Sequence, residues 1–461
     1  IKFRLVRDIP TADLDVQLYY YTSLLLSEKY WSCEDIFKIE SQLTYDKFND
    51  AIKLFFSKLH LEIFADGNLT SKEACCMANE IEKTLRANNC LTTMCESQLR
   101  RIRVYQLPEQ SHHVFEVSSS VKTCNAVYIY FQIGSANLDE KMKLHLLQRI
   151  LSSHFCNNLH AKEQLGYTVY CGIRSCSGVQ GMTFVVHSKQ LPEFVEQRIE
   201  NFINWAQNLS QEEYENYKKG ILVKKAEKPK QLIDSSTEMM AEIIRQEYLF
   251  DRRNIEISAL QKLTKKEVLD FFDEYISINA IKRKKLVVRI VSTESKVVQD
   301  CEIESTPHLK NAIRINDIIS FHNSLNLYAF PKSFTIYVVI SDMEDTFMKE
   351  LVKVTQNVHL PTPNEFVPSN FELVEREEEF DTTPKLLMNT ETCRLWFRQD
   401  NIFLLPKASF YIIFRSPFVD VDPLLSTSVA IFTSLLNDSS NEYAKDALVA
   451  GLTYKFSFET F

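Results

Sequence analysis

Glycine is scarce in this chain. Only 8 of its 461 residues are glycine, where average usage would supply about 32. They stand at positions 67, 134, 166, 172, 178, 181, 220 and 451. Neither G-x-G-x-x-G nor G-x-x-x-x-G-K-[ST] can be built from them. Such motifs need glycine for tight turns and for close backbone approach to phosphate. Dinucleotide and P-loop cradles are therefore excluded.

Other absences narrow the field further. The 11 cysteines are odd in number and form no C-x-x-C pair. That excludes a disulfide framework and a zinc ribbon, and it reads as reduced thiols in an intracellular, cytoplasmic protein. The N-x-[ST] matches at Asn68, Asn208 and Asn437 are then chance. No apolar run approaches about 18 residues, so no membrane span is expected. Residue 1 is Ile and no signal peptide is visible. The net charge of −8 argues against a basic face for nucleic acid. The one basic run, KRKK at 282–285, precedes an apolar strand and reads as a solvated strand entry.

The ten histidines form neither H-E-x-x-H nor H-x-x-E-H, the patterns that put two zinc ligands and a Glu base on one helix face. His112-His113-x-x-Glu116 comes nearest but lacks the second flanking His. A metal site there is the least favoured reading. His145 and His154, nine apart on one helix, read as solvent or core positions. His60-x-Glu62 lacks the downstream P-C-x-x-C of a deaminase. There is no G-x-S-x-G elbow.

What is present is an alternation of helices and strands, long enough for two to four domains. Residues 13–26 and 141–155 are helix-like. T-x-x-E at 70–73, S-x-x-E at 210–213 and T-x-x-E at 264–267 are capping boxes that open helices. Residues 60–65, 126–133 and 286–291 read as strands. Residues 167–174 and 179–188 form a hairpin, followed by a helix from Pro192. Blocks of this kind predict an α+β fold, with antiparallel-rich sheets carrying helices on one face. Residues 295–318 are polar and fit a linker. Residues 359–384 hold four of the 13 prolines and the acidic run 375–379, which fits an extended, solvated connector. A faint internal repeat relates AKEQLGYTVY at 161–170 to AKDALVAGLTY at 444–454, each with an A-K-acid start before a Gly and an aromatic-bearing stretch. Two related domains follow from it.

The most specific block is 154–188, with KEQLGY at 162–167 and GVQG at 178–181. It resembles the fourth domain of the pitrilysin-type (M16) zinc metallopeptidases. Residues 59–68 resemble the end of that family's third domain, and 228–251 the helices after the hairpin. Residues 359–372, 395–400, 416–423 and 441–444 resemble the linker into the third domain and its first part.

The resemblance implies four homologous α+β domains, paired into two bowl-shaped halves that enclose peptides, with the zinc motif on the first domain alone. This chain would be the non-catalytic C-terminal half. It would pair with an N-terminal half holding the zinc, bind peptide substrates, and leave homo-oligomerisation open. Its parts would be 1–107 (second part of the third domain), 108–310 (fourth domain), 311–342 (tail), 343–383 (inter-half linker) and 384–461 (first part of the third domain). In the family the stretch matching 359–461 precedes the stretch matching 1–300. The reversal is read as a numbering effect rather than a natural permutation.

The resemblance also names site residues. Tyr167 would aim its O–H at a developing oxyanion, stabilising charge that appears only in the transition state. The family's Arg, seven residues earlier, is His160 here. A His donates one hydrogen bond but cannot form the bidentate fork. Gly166 would let the chain turn beside Tyr167, next to substrate. The alternative is a pseudo-peptidase, a scaffold or peptide binder without proteolysis.

Overall fold

The computed structural model describes residues 9, 12–40, 42–88, 92–94, 98, 102–119, 124–135, 137–205, 209–293, 312–329, 364, 366–377, 383–419 and 421–458. The linker-like stretches 295–311 and 343–358, and Asn208, lie outside the described residues.

The chain opens with helices α1 (Leu14–Leu26), α2 (Cys33–Glu40) and α3 (Tyr45–Ser57), then β1 (His60–Gly67) and α4 (Ser71–Asn88). Next come β2 (Tyr105–Gln106), β3 (Ser111–Ser119), β4 (Asn125–Ser135) and α5 (Leu138–Phe155). A π-helix, Cys156–Lys162, extends α5. The hairpin β5 (Thr168–Cys176) and β6 (Val179–Ser188) follows. Helices α6 (Pro192–Trp205), α7 (Gln211–Ala226), α8 (Leu232–Ile244), α9 (Arg252–Lys262) and α10 (Lys265–Tyr275) lead into β7 (Lys284–Ser292). The last elements are β8 (Ile313–Arg314), α11 (Ile318–Asn323), β9 (Asn326–Leu327), β10 (Lys385–Asn389), β11 (Cys393–Gln399), β12 (Ala408–Arg415), α12 (Pro423–Tyr443) and α13 (Lys445–Val449).

Local chemistry explains the boundaries. The Glu73 carboxylate accepts from the Thr70 N–H at 2.8 Å, while the Glu73 N–H donates to Thr70 Oγ1 at 3.2 Å. The same reciprocal box opens α7 and α10. Ser177 and Gly178 both take positive φ, 49° and 78°. This is the handedness that a two-residue hairpin turn needs.

Two sheets carry the fold. The smaller has the order β10-β11-β1-β12, the larger β5-β6-β4-β7-β3-β8. They share a core motif. β1 runs parallel to β11 and antiparallel to β12; β7 runs parallel to β3 and antiparallel to β4. A long helix follows both β12 and β4. The smaller sheet is drawn from both ends of the chain, since Leu61 lies opposite both Cys393 and Phe414.

Three expectations need correction. Helices cover both faces of the larger sheet. Val127, Ile129 and Phe131 pack with α5, α6 and α10, while Tyr128, Tyr130 and Val185 pack with Leu14, Leu18 and Leu25 of α1. The reason is that the central strand β4 is buried along both faces, and a strand of that kind must be covered twice. Ile313 and Arg314, assigned to a linker, pair with β3.

The basic run is not solvated. Arg283, Lys284 and Lys285 are buried. Glu193, Glu196 and Glu200 recur at helical spacing on the face of α6 that lies over β7. Lys285 pairs with Glu196 and Glu200, and Arg283 with Glu200 at 2.6 Å. Burial pushes the Glu196 carboxyl up, but Lys285, His112 and Arg289 outweigh it and hold it well below the usual carboxylate range. Charge of one sign in sequence became a paired buried network in space.

Candidate functional site

The residues singled out in the KEQLGY block converge on one loop. It runs from the π-helix into β5, and it sits where β6 returns toward β4. π-helical turns occur often at functional positions because the wider turn re-aims side chains. His160 lies in this turn, and its Nδ1 stands 2.8 Å from the Gly166 carbonyl oxygen. A carbonyl only accepts, so Nδ1 carries the proton. Gly166 is required for close approach, and this corrects its reading as a turn residue. A Cβ at Gly166 would lie 2.1 Å from the His187 carbonyl oxygen.

Tyr167 follows directly and is 64% exposed, so it is no core aromatic. Its ring meets His187 edge-on with centroids 5.7 Å apart. Its phenol oxygen is 3.2 Å from Cys124 Sγ. That hydrogen bond, with partial burial and the charges of Asp15 and Asp13, pushes the phenol up to about 12.

A second tier stands behind it. The Tyr170 hydroxyl donates to Asp15 Oδ1 at 3.0 Å, and His187 Nε2 lies 3.1 Å from the same oxygen. Burial lowers the His187 pKa against the pull of Asp15. Farther along β5, the buried Arg174 donates to Ser23 Oγ at 2.9 Å and stacks over the Tyr19 ring at 4.7 Å. Sequence reading missed Cys124, His187, Asp15, Tyr170 and Arg174. The hairpin register offered one usable signal, because it sets His187 opposite Thr168, the residue after Tyr167. Nothing local connects Asp15 to Tyr170, which is 155 residues away.

The His112–Glu116 reading does not survive the geometry. Adjacent strand residues point to opposite faces. His112 Nε2 is 2.9 Å from Glu196, whereas His113 lies edge-on to Phe321, centroids 5.2 Å apart. Glu116 sits 3.5 Å from Arg289. Among the described residues, no group of three or more His, Cys, Asp or Glu could hold a metal ion. The donor set of His112, His113 and Glu116 therefore does not fit a zinc ion. His145 and His154 serve packing instead, with the His154 ring 6.0 Å from that of Tyr217. No helix among the described residues is long and apolar enough to cross a membrane.

Comparison with known proteins agrees with this fold. Residues 322–460 match the middle or third domain of peptidase M16, and residues 42–221 match the peptidase M16 inactive domain. Insulin-degrading enzyme from Drosophila melanogaster is 31% identical over 317 residues, covering 67% of this chain and 32% of that protein. Insulin-degrading enzyme from Homo sapiens is 29% identical over 326 residues, 68% of this chain and 32% of that protein. The chain thus spans about a third of the length of these relatives. The crystal structure of pitrilysin superposes with a TM-score of 0.55 at 18% identity, covering 71% of this chain and 34% of that one. On these matches, together with the two sheets of common topology, the chain belongs to the M16 peptidase family.

Proposed function

We propose that this chain is the non-catalytic C-terminal half of a zinc metalloendopeptidase similar to insulin-degrading enzyme. It completes a peptide-enclosing chamber and holds peptide for hydrolysis by an N-terminal half. We assign the zinc to that half, where the family resemblance places the zinc motif. Residues 384–461 and 1–107 are two parts of one M16-type unit, and 108–310 is the other. The position of β1 between β11 and β12 supports this division. We place the protein in the cytoplasm, acting on peptides.

The observation that carries the reading is Tyr167. An exposed phenol is braced by His187 on one side and Cys124 on the other, beside His160 and Gly166. A phenol kept protonated at neutral pH can donate to charge that develops on a substrate carbonyl oxygen. The test is reconstitution with the N-terminal half. The chain alone should cleave no peptide, and the mixture should. Zinc-dependent cleavage by the isolated chain sinks the proposal.

One observation favours a second reading, the pseudo-peptidase scaffold. His160 stands where the family carries Arg, and its Nδ1 is tied to the Gly166 carbonyl rather than offered to a ligand. In that case the reconstituted pair would bind peptide without cleaving it.

A further inference from the structure

We propose that Asp15 is a positioning residue for Tyr167, acting through His187. The carboxylate on α1 sets the imidazole, and the imidazole sets the phenol. The inference rests on the peptidase reading for its effect on catalysis, and on geometry alone for its effect on the ring.

Tyr167 needs such a support. It is largely exposed and stands between the π-helix and β5, outside the strand ladder. A hydrogen-bond donor helps an oxyanion only when it points at the place where charge develops. An error of about 1 Å can cost about 100-fold in rate. Two contacts hold the side chain. Cys124 Sγ meets the phenol oxygen at 3.2 Å, but that oxygen is the atom that must serve a substrate. His187 meets the ring edge-on, with centroids 5.7 Å apart, and leaves the oxygen free. The imidazole is therefore the contact that can persist during reaction.

His187 must itself be fixed. It is buried on β6, opposite Thr168, and the torsion that turns its ring is broad. Asp15 Oδ1 stands 3.1 Å from Nε2 and accepts the Tyr170 O–H at 3.0 Å. One oxygen thus ties β6 and β5 to α1. The helix is held in turn. Leu14 and Leu18 are buried with Tyr128 and Tyr130 of β4. Asp15, Tyr19 and Ser23 recur every fourth residue and share one stripe of α1, while Tyr170 and Arg174 share one face of β5. The Arg174 guanidinium lies 4.7 Å from the Tyr19 ring and donates to Ser23 Oγ at 2.9 Å. α1 therefore grips β5 at two levels, and Asp15 is the level nearer Tyr167. The competing account is that Asp15 serves only α1, since it lies in the first turn, where a carboxylate favours the helix.

Two measurements separate the accounts. In the first, the full chain carries 3-fluorotyrosine, and the fluorine resonance of residue 167 is identified by its loss in Tyr167→Phe. The His187 ring displaces that resonance from the value of free fluorotyrosine. Asp15→Ala and His187→Leu should each move it most of the way back. Asp15→Asn, which keeps an acceptor oxygen, should restore most of the displacement. In the second, the chain is assembled with its N-terminal half. Asp15→Ala should lower kcat by about 10–100-fold with little change in KM. In a Tyr167→Phe background the same substitution should change kcat by less than about twofold, because the phenol it acts through is gone. An unmoved resonance in Asp15→Ala overturns the proposal, as does one that moves there but not in His187→Leu. An equal loss of kcat in both backgrounds also overturns it, leaving Asp15 to the helix. Should Asp15→Ala fail to fold, Asp15→Ser, too short to reach His187, replaces it in both measurements. A pair that cleaves no peptide sinks the peptidase reading, while the fluorine resonance still decides whether Asp15 positions Tyr167.

Discussion

The Tyr167 phenol oxygen and the Cys124 thiol lie 3.2 Å apart, at the start of β5 and just before β4. The thiol is buried while the phenol is exposed. The hydrogen bond between them is the largest cause of the raised phenol pKa, about 12. Cys124→Ala removes it, so the Tyr167 pKa should fall toward the ordinary value near 10. Ultraviolet difference titration against a Tyr167→Phe reference reads this directly. An unchanged titration would mean that Asp15 and burial dominate instead.

The same pair bears on activity once the chain is assembled with its N-terminal half. Tyr167→Phe keeps the ring and its His187 contact but deletes the donor. The expected loss is in kcat, by about 100–1000-fold, the range for an oxyanion donor. An unchanged kcat would reduce Tyr167 to a surface aromatic.

Gly166 tests the close approach. Alanine there would set its Cβ against the His187 carbonyl oxygen at 2.1 Å, and this contact is backbone that cannot rotate away. Gly166→Ala should therefore cost about 1–3 kcal/mol, typical of overpacking, and should displace Tyr167. Denaturant unfolding measures the first effect and the Tyr167 titration the second. A variant as stable as the parent would show that the loop relaxes freely.

The buried ion pairs make a larger claim. Lys285 joins Glu196 and Glu200 inside the molecule. Lys285→Met leaves two carboxylates facing each other without their ammonium. Breaking such a pair costs about 3–5 kcal/mol, measurable as a shift in the urea midpoint. A loss under about 1 kcal/mol would place the network among solvent-screened pairs.

Much of this was legible in the sequence. The capping boxes, the hairpin and the strands beginning at His60 and ending at Ser292 follow from local rules, and each formed within a few residues of its expected span. The KEQLGY block placed His160, Gly166 and Tyr167 together because they are neighbours in the chain. The rest depended on distant partners. Nothing around Lys285 announces Glu196, which sits 89 positions away on a helix. Asp15 reaches Tyr170 only because α1 packs across the larger sheet, and a one-faced sheet would have left no room for it. Residues 366–377, read as a solvated connector, do lack helix and strand, yet Asn68 Nδ2 donates to the Glu372 carbonyl and the Val374 N–H donates to Asn68 Oδ1.

Acid should expose the buried histidines, and His145 most clearly. It lies on α5, where burial, with Lys225 and Lys141 nearby, lowers its pKa from 6.5 to about 4. The folded state therefore prefers the neutral ring, while the unfolded chain protonates it near 6.5. The stabilising contribution of the neutral ring is fully present above 6.5. It is lost progressively as pH falls through that value toward 4, because the unfolded state takes up the proton first. The full effect is on the order of 3 kcal/mol, taking 1.36 kcal/mol per unit. His145→Gln cannot titrate and should lose that share of the acid sensitivity. The measurement is the urea midpoint of parent and variant at about pH 8 and about pH 4, the two sides of the titration window. A parent and variant that fall equally would mean that the acid response belongs to other groups, with His60, His113, His187 and His322, all lowered by burial, the next to replace.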